Sequence, residues 1–301
     1  LTDPRTPPVP FGYRTSAFWY ALGARIAIAA PRSLIRWAAR RVGDWYGWTH
    51  PGVRRTVARH LALADRARGD GRRTSVQRPF REFSETVADF LRLAGGRGEQ
   101  IVAEIEIVGI EHLQRCQMEG TGVVFLSAHM GNWEAVGAWG ASRGLRVLGV
   151  ARPHPSPRVD EFFNAARRRF GLEVFPLGGD PRLLAEHLQG GGVVAIVGDR
   201  DFTGRGAEVA FLGARARLPQ GWVRLAQQSG AWILPGRHRR LVEDGRHVSR
   251  LEFREPWRVA PGEAGAAEAF ARGAAFLEEL VREDPGAWTV FDPVLLGGPP
   301  R

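Results

Sequence analysis

The strongest constraint on the fold is a series of short apolar runs set between helical patterns. Val123–Ser127, Leu145–Ala151, Val193–Gly198 and Trp232–Pro235 have strand length, and Leu172–Phe175 is a weaker fifth. Helical patterns fill the intervals at Asn132–Arg143, Val159–Phe170, Pro181–Gln189 and Gly221–Gln228. Apolar strands alternating with helices predict an α/β fold, a central mixed, largely parallel sheet covered by helices on both faces. A polar hairpin at Arg239–Phe253 extends one edge, and a last helix covers 264–283. Before the strands come a proline-rich stretch, 1–12, and helical patterns over 15–42, 52–68 and 78–94. The expected organisation is an N-terminal helical segment, 1–95, followed by an α/β domain, 96–301. In open α/β sheets the ligand crevice lies beyond the carboxyl ends of the strands. His129, Arg152 and Asp199 each follow a strand, so they converge on one edge.

His129 is the most informative of these. It stands at the end of Val123–Ser127, and Glu134 follows five positions later where a helical pattern begins. An imidazole at a strand-to-helix turn, with a carboxylate near enough to orient it, suits a general base close to neutral pH. The spacing alone is unspecific. About one histidine in the chain should have an acid five residues later by chance, and four do: His60, His129, His238 and His247. Only His129 follows an apolar strand and precedes the helix start Gly131-Asn132. Backbone N–H groups of Gly131 to Trp133 at that helix start would face a developing oxyanion. Arg152 is a second oxyanion donor, a phosphate grip or, beside Pro153, a structural salt-bridge residue. Asp199-Arg200-Asp201 is either part of the site or a loop-fixing ion-pair cluster.

Composition removes other chemistries. All 42 basic residues are arginine, so Schiff-base chemistry, pyridoxal phosphate attachment and a Walker P-loop are excluded. One cysteine, Cys116, allows no intramolecular disulfide and no thiolate metal cluster. Gly190-Gly191-Gly192 precedes a strand, so it is no dinucleotide fingerprint, and the histidines lack His-Glu-x-x-His spacing. No Gly-x-Ser-x-Gly elbow is present, so no serine nucleophile is marked. A net charge of +10 points to an anionic partner. The apolar stretch Phe18–Ala30 is interrupted by Arg25, ends at Pro31, and falls short of the about 20 residues a span needs. Arg32, Arg36, Arg40 and Arg41 follow among Leu34, Ile35, Trp37 and Val42. This reads as an interfacial segment for an anionic membrane surface, or else as an amphipathic helix packed on the core. No cleavable secretory signal is visible. The arginines are spread along the chain with no nucleic-acid motif, so no nucleic acid partner is expected.

The ordered series continues with Ala151-Arg152-Pro153-His154-Pro155, then Gly198-Asp199-Arg200-Asp201, Gly206-Ala207-Glu208-Val209-Ala210-Phe211, Leu218-Pro219-Gln220-Gly221 and Ile233-Leu234-Pro235. From about Gly122 to Pro235 this resembles the bacterial lipid A late acyltransferases and the related phosphatidylinositol mannoside acyltransferases, within the glycerolipid acyltransferase superfamily. Pro51-Gly52-Val53-Arg54-Arg55 and Phe90-Leu91-Arg92-Leu93 extend the likeness weakly toward the N-terminus. The resemblance implies acyl transfer from a thioester donor, acyl-CoA or acyl carrier protein, to a hydroxyl of a glycolipid or lysolipid, with no further cofactor. It makes His129 the base and Glu134 the group that holds its ring; Arg152, Asp199, Arg200, Gly131 and Asn132 remain the candidates for substrate binding or transition-state support. It also brings Glu208 to the same histidine in the mannoside branch, leaving the choice between Glu134 and Glu208 open. It implies a peripheral place on the cytoplasmic face of the bacterial membrane. The lipid A enzymes carry a longer hydrophobic N-terminal anchor that this chain lacks or has lost, which keeps a soluble hydroxyl acceptor as the alternative, with a noncatalytic anionic-lipid or nucleic-acid binding protein as the reading of a different class.

Overall fold

The structure is a computed structural model and describes residues 17–296; the proline-rich stretch 1–12 lies outside the described residues. The N-terminal third is helical: α1 (Ala17–Ala29), α2 (Arg32–Thr49), α3 (Pro51–Arg68), α4 (Gln77–Arg92) and, after a short π-helical turn, α5 (Gly98–Ala103). Pro31 divides the pattern expected over 15–42, because proline restricts the residue before it and cannot continue a helix through its own missing N–H. Next come β1 (Ile105–Val108), α6 (Ile110–Met118), β2 (Val123–Ser127), α7 (Trp133–Ser142), β3 (Val147–Ala151), α8 (Pro157–Arg169), β4 (Leu172–Pro176), α9 (Pro181–Gln189) and β5 (Val193–Val197). The chain continues through β6 (Ala207–Phe211), β7 (Ala214–Leu218), α10 (Gly221–Ser229), β8 (Trp232–Glu243), β9 (Arg246–Phe253), α11 (Gly262–Glu283) and β10 (Leu295–Leu296).

The main sheet has the order β1-β9-β8-β2-β5-β3-β4, and every neighbouring pair is parallel except β8–β9. β2 lies between β5 and β8, with Val123 opposite both Val193 and Trp232. Successive side chains of a strand point to opposite faces, and both faces of β2 are covered. Val124 and Leu126 pack with Leu188 of α9, Trp222 of α10 and Leu277 of α11. Val123 packs on the other side with Leu113 and Cys116 of α6 and Trp139 of α7. Burying a leucine such as Leu126 this fully stabilises the fold by about 2 kcal/mol. That two-sided burial is why β2 reads as an unbroken apolar run.

Less apolar strands escaped the pattern. β1 was not expected, and it takes the sheet edge expected for the hairpin Arg239–Phe253; that hairpin forms, as β8 running on past Pro235 and β9, and its buried charges find partners, as in the 2.8 Å Arg237–Glu252 pair. β6 and β7 form a small antiparallel sheet with β10, and their alternation of alanine with charged residues carries little hydrophobic signal.

α2 packs on α4 through arginine–carboxylate pairs. Arg40 meets Glu85 at 2.5 Å, Arg81 meets Asp44 at 2.6 Å, Arg36 lies 3.8 Å from Glu85, and Arg32 lies 3.8 Å from Asp89 while also pairing with Glu104 just beyond α5. The arginines expected to face lipid, Arg32, Arg36 and Arg40, therefore point at protein carboxylates. α2 instead presents Leu34, Trp37, Trp45 and Trp48 to the outside, with Trp37 60% and Trp48 69% exposed. Among the described residues no helix is long and apolar enough to cross a membrane.

Candidate active site

β2 and β5 are hydrogen-bonded neighbours, and the Gly198 N–H donates to the Ser127 carbonyl at 2.8 Å just past their ends. Parallel pairing thus delivers His129 and Asp199 side by side at one sheet edge. His129 Nδ1 lies 2.7 Å from Asp199 Oδ1, and the His129 backbone N–H donates to Oδ2 at 2.9 Å. The Trp288 indole N–H donates to the same Oδ2 at 2.7 Å. Asp199 is wholly buried. Burial alone would raise its pKa, but the charge of His129 and the donors from His129 and Trp288 outweigh it and hold the carboxyl below the usual value. An ionised Asp199 can only accept, so His129 Nδ1 is the donor in this pair and Nε2 is the ring nitrogen outside it. The His129 carbonyl accepts from both the backbone N–H and the hydroxyl of Thr289, each at 2.9 Å.

The turn after His129 is held from behind. Gly131 has φ +64°, and a Cβ there would lie 2.2 Å from the His238 carbonyl oxygen, so only glycine fits. The Asn132 backbone N–H donates to His238 Nδ1 at 3.0 Å, and its side-chain amide donates to Asp89 at 3.1 Å. Asn132 Oδ1 caps α7 by accepting from the Ala135 N–H at 3.0 Å. His238 Nε2 lies 2.8 Å from the Ser249 hydroxyl. Burial first, and then the Arg240 charge, push the His238 pKa down to about 3, so the ring is neutral and can accept from Asn132.

His129 opens onto an apolar cavity of about 790 Å³. One part runs between α7 and the sheet, past Val136, Gly137, Gly140, Gly149, Ala195 and Leu234. Another lies among α1, α2 and α4, past Gly23, Ile35, Val42, Phe83 and Val87. Such a cavity suits a long hydrocarbon chain, and the His129 imidazole stands beside it.

Residues 12–296 match the family described as bacterial lipid A biosynthesis acyltransferase. The chain belongs to that family. A phosphatidylinositol mannoside acyltransferase of Mycobacterium tuberculosis (strain H37Rv) is 30% identical over 232 residues, covering 74% of this chain and 72% of that protein. The enzyme of the same name from Mycolicibacterium smegmatis is 26% identical over 239 residues, 75% of this chain and 76% of its own length. A lipid A biosynthesis acyltransferase of Haemophilus influenzae is 28% identical over 151 residues, 48% of this chain and 46% of its length. The resemblance read from the sequence is thereby borne out, and acyl transfer is the chemistry of this family.

Against that chemistry the expected residues divide. His129 and Asp199 are brought together, whereas Glu134 is turned to Arg167, with contacts of 2.5 and 3.0 Å bridging α7 and α8. The place expected for Glu134, against the imidazole, is taken by Asp199. The first turn of α7 points the Glu134 side chain toward α8, where a guanidinium neutralises it. Glu208 sits on the β6–β7 hairpin with its carboxylate held by Arg217 at 2.8 Å and Arg215 at 3.3 Å, so its charge is used within that hairpin. Arg200 pairs with Asp292 and lies 4.2 Å over the Phe202 ring, while Arg152 lies 5.9 Å from the same ring on the cavity wall. Asp201 closes its own loop by accepting from Thr203 and Gly206.

Sequence reading did not find Trp288, Thr289, His238, Asp89 or Arg167. All five come from elements remote in the chain from the residues they hold, for which no local spacing gives a signal.

Proposed function

We propose that the protein moves a fatty acyl group from a thioester donor, acyl-CoA or acyl carrier protein, to a hydroxyl of a glycolipid of the phosphatidylinositol mannoside kind. The observation that carries this reading is the His129–Asp199 pair at the mouth of the apolar cavity. The acyl chain lies in the cavity with its thioester carbonyl near His129. His129 Nε2 takes the proton of the acceptor hydroxyl as its oxygen attacks the carbonyl carbon. Asp199 stays ionised and stabilises the imidazolium. Arg152 and the N–H groups of Gly131 and Trp133 are the donors nearest in kind to what the tetrahedral oxyanion needs; the Asn132 N–H is committed to His238. The intermediate collapses with cleavage of the C–S bond, and the imidazolium returns its proton to the thiolate. The ester is then formed with no acyl-enzyme.

The acceptor and donor meet at a membrane surface in this reading. Trp19 and Val42 both line the cavity and are exposed, beside Phe18, Ile26 and Trp37. Aromatic side chains of this sort settle at the headgroup layer, and the net positive charge favours an anionic leaflet. The protein thus docks peripherally on the cytoplasmic face, by α1 and α2. Replacing Trp37 and Trp48 with serine should abolish co-sedimentation with vesicles containing phosphatidylglycerol; undiminished binding would exclude this face. The test of the activity is thiol release from palmitoyl-CoA with a phosphatidylinositol mannoside acceptor, with the product followed by mass spectrometry. Acceptor-dependent acylation by the wild type and its loss in His129→Ala are expected. Equal product from both proteins would remove His129 from the mechanism.

A further inference from the structure

Asp199 carries a buried charge. The next residue, Arg200, pairs with Asp292, and among the described residues three N–H donors reach the two Asp199 oxygens. Two belong to His129 itself. The third, the Trp288 indole N–H, comes from 89 residues further along the chain. Trp288 is buried among other aromatic rings, 5.0 Å from the His60 ring and 6.1 Å from Phe211. Its N–H differs from those of Trp139, Trp222, Trp232 and Trp257, which are buried with no hydrogen-bond partner among the described residues. In those four positions an indole serves as packing volume; in Trp288 the polar edge is aimed at a carboxylate. The following residue, Thr289, binds the His129 carbonyl through two donors. Two consecutive residues of the C-terminal segment therefore grip both members of the pair.

We propose that Trp288 is a positioning residue for acyl transfer, its indole N–H fixing the Asp199 carboxylate so that Oδ1 faces His129 Nδ1. This rests on the proposed roles of His129 and Asp199. With Oδ2 anchored by Trp288 and by the His129 backbone, the carboxylate cannot rotate about its Cβ–Cγ bond. Oδ1 is then left to one partner, the imidazole. The same N–H draws charge out of the carboxylate and so moderates how strongly it favours the protonated ring.

The discriminating variant is Trp288→Phe, which keeps an aromatic ring and removes the donor. Turnover is expected to fall roughly 10- to 100-fold, as for loss of one hydrogen bond to a charged group, with KM changed by less than about twofold. The acid limb of the pH–rate profile should move to higher pH. A carboxylate with one donor fewer holds more charge and favours the imidazolium, so the neutral base is reached only at higher pH. A role in packing alone would lower the rate and leave the limb in place, and an unmoved limb overturns the proposal. Asp199→Asn, assayed beside it, separates the two levels. If Asp199→Asn turns over at the wild-type rate, the underlying reading fails. If it is inactive while Trp288→Phe matches the wild type, only the Trp288 inference fails. Should Trp288→Phe not fold, the wild-type protein with ¹⁵N-labelled tryptophan gives the second test. One indole N–H with a nuclear Overhauser contact to His129 should lie downfield and shift with the titration of that ring. An indole resonance there that ignores the titration would overturn the inference.

Discussion

Acid should destabilise this fold through two buried histidines. Burial, opposed by a bond to the Val290 carbonyl and aided by the Arg59 charge, holds the His60 pKa down at about 4, and burial with the Arg240 charge holds that of His238 at about 3. Both rings are therefore neutral in the folded protein, whereas in the unfolded chain they take up protons as the pH falls through 6.5. Their contribution is complete above that value and is lost progressively down to the folded pKa values. At 1.36 kcal/mol per unit, each histidine costs about 2 kcal/mol between pH 7 and pH 5, and the pair about 4 kcal/mol. That is a large share of the 5–15 kcal/mol of a typical domain. Urea unfolding at pH 7, 6 and 5 measures it directly, with the slope m checked for constancy. His238→Gln keeps an acceptor for the Asn132 N–H and removes the titration. Its loss between pH 7 and pH 5 should be smaller than the wild type's by about 2 kcal/mol. Equal stability of the wild type at pH 5 and pH 7, or the same loss in His238→Gln, would refute the assignment of a buried neutral ring.

Two further outcomes follow from the cavity and the turn. A Cβ on Gly149 meets only ordinary contacts at 3.8 and 3.9 Å, so Gly149→Phe should fold and fill part of the acyl cavity. Competition among acyl-CoA donors, read by product mass spectrometry, should then shift toward shorter chains; an unchanged preference would place the acyl chain elsewhere. Gly131→Ala sets a Cβ against the His238 carbonyl at a positive φ, and thermal unfolding should show a loss of about 2 kcal/mol or more. A wild-type melting temperature would mean the turn relaxes freely.

The fold was legible where burial is two-sided. β2, β3 and β5 are enclosed by helices, so their apolar runs announced themselves, and the strand-end rule correctly drew His129 and Asp199 to one edge. β6 and β7 were not legible, because pairs such as Arg217–Glu208 stabilise that hairpin without an apolar pattern. Within the site, the linear neighbour Glu134 looked like the natural partner of His129. The parallel pairing of β2 with β5 brings Asp199 there instead, 70 residues away. Glu134 has its own partner in Arg167, which a spacing argument cannot see. The arginines of α2 carried a similar ambiguity: a basic helix face reads as lipid-seeking until the carboxylates of α4 are seen opposite it.

The central claim is that Asp199, and not Glu134, sustains His129 in acyl transfer. Single-turnover transfer from radiolabelled palmitoyl-CoA to the mannoside acceptor, in Asp199→Asn and Glu134→Gln, tests it most directly. Asp199→Asn should lose about 10³-fold or more, since the amide cannot stabilise an imidazolium and favours the wrong tautomer. Glu134→Gln retains a hydrogen-bond acceptor for Arg167 and should stay within about tenfold of the wild type. The opposite order of losses would contradict the account.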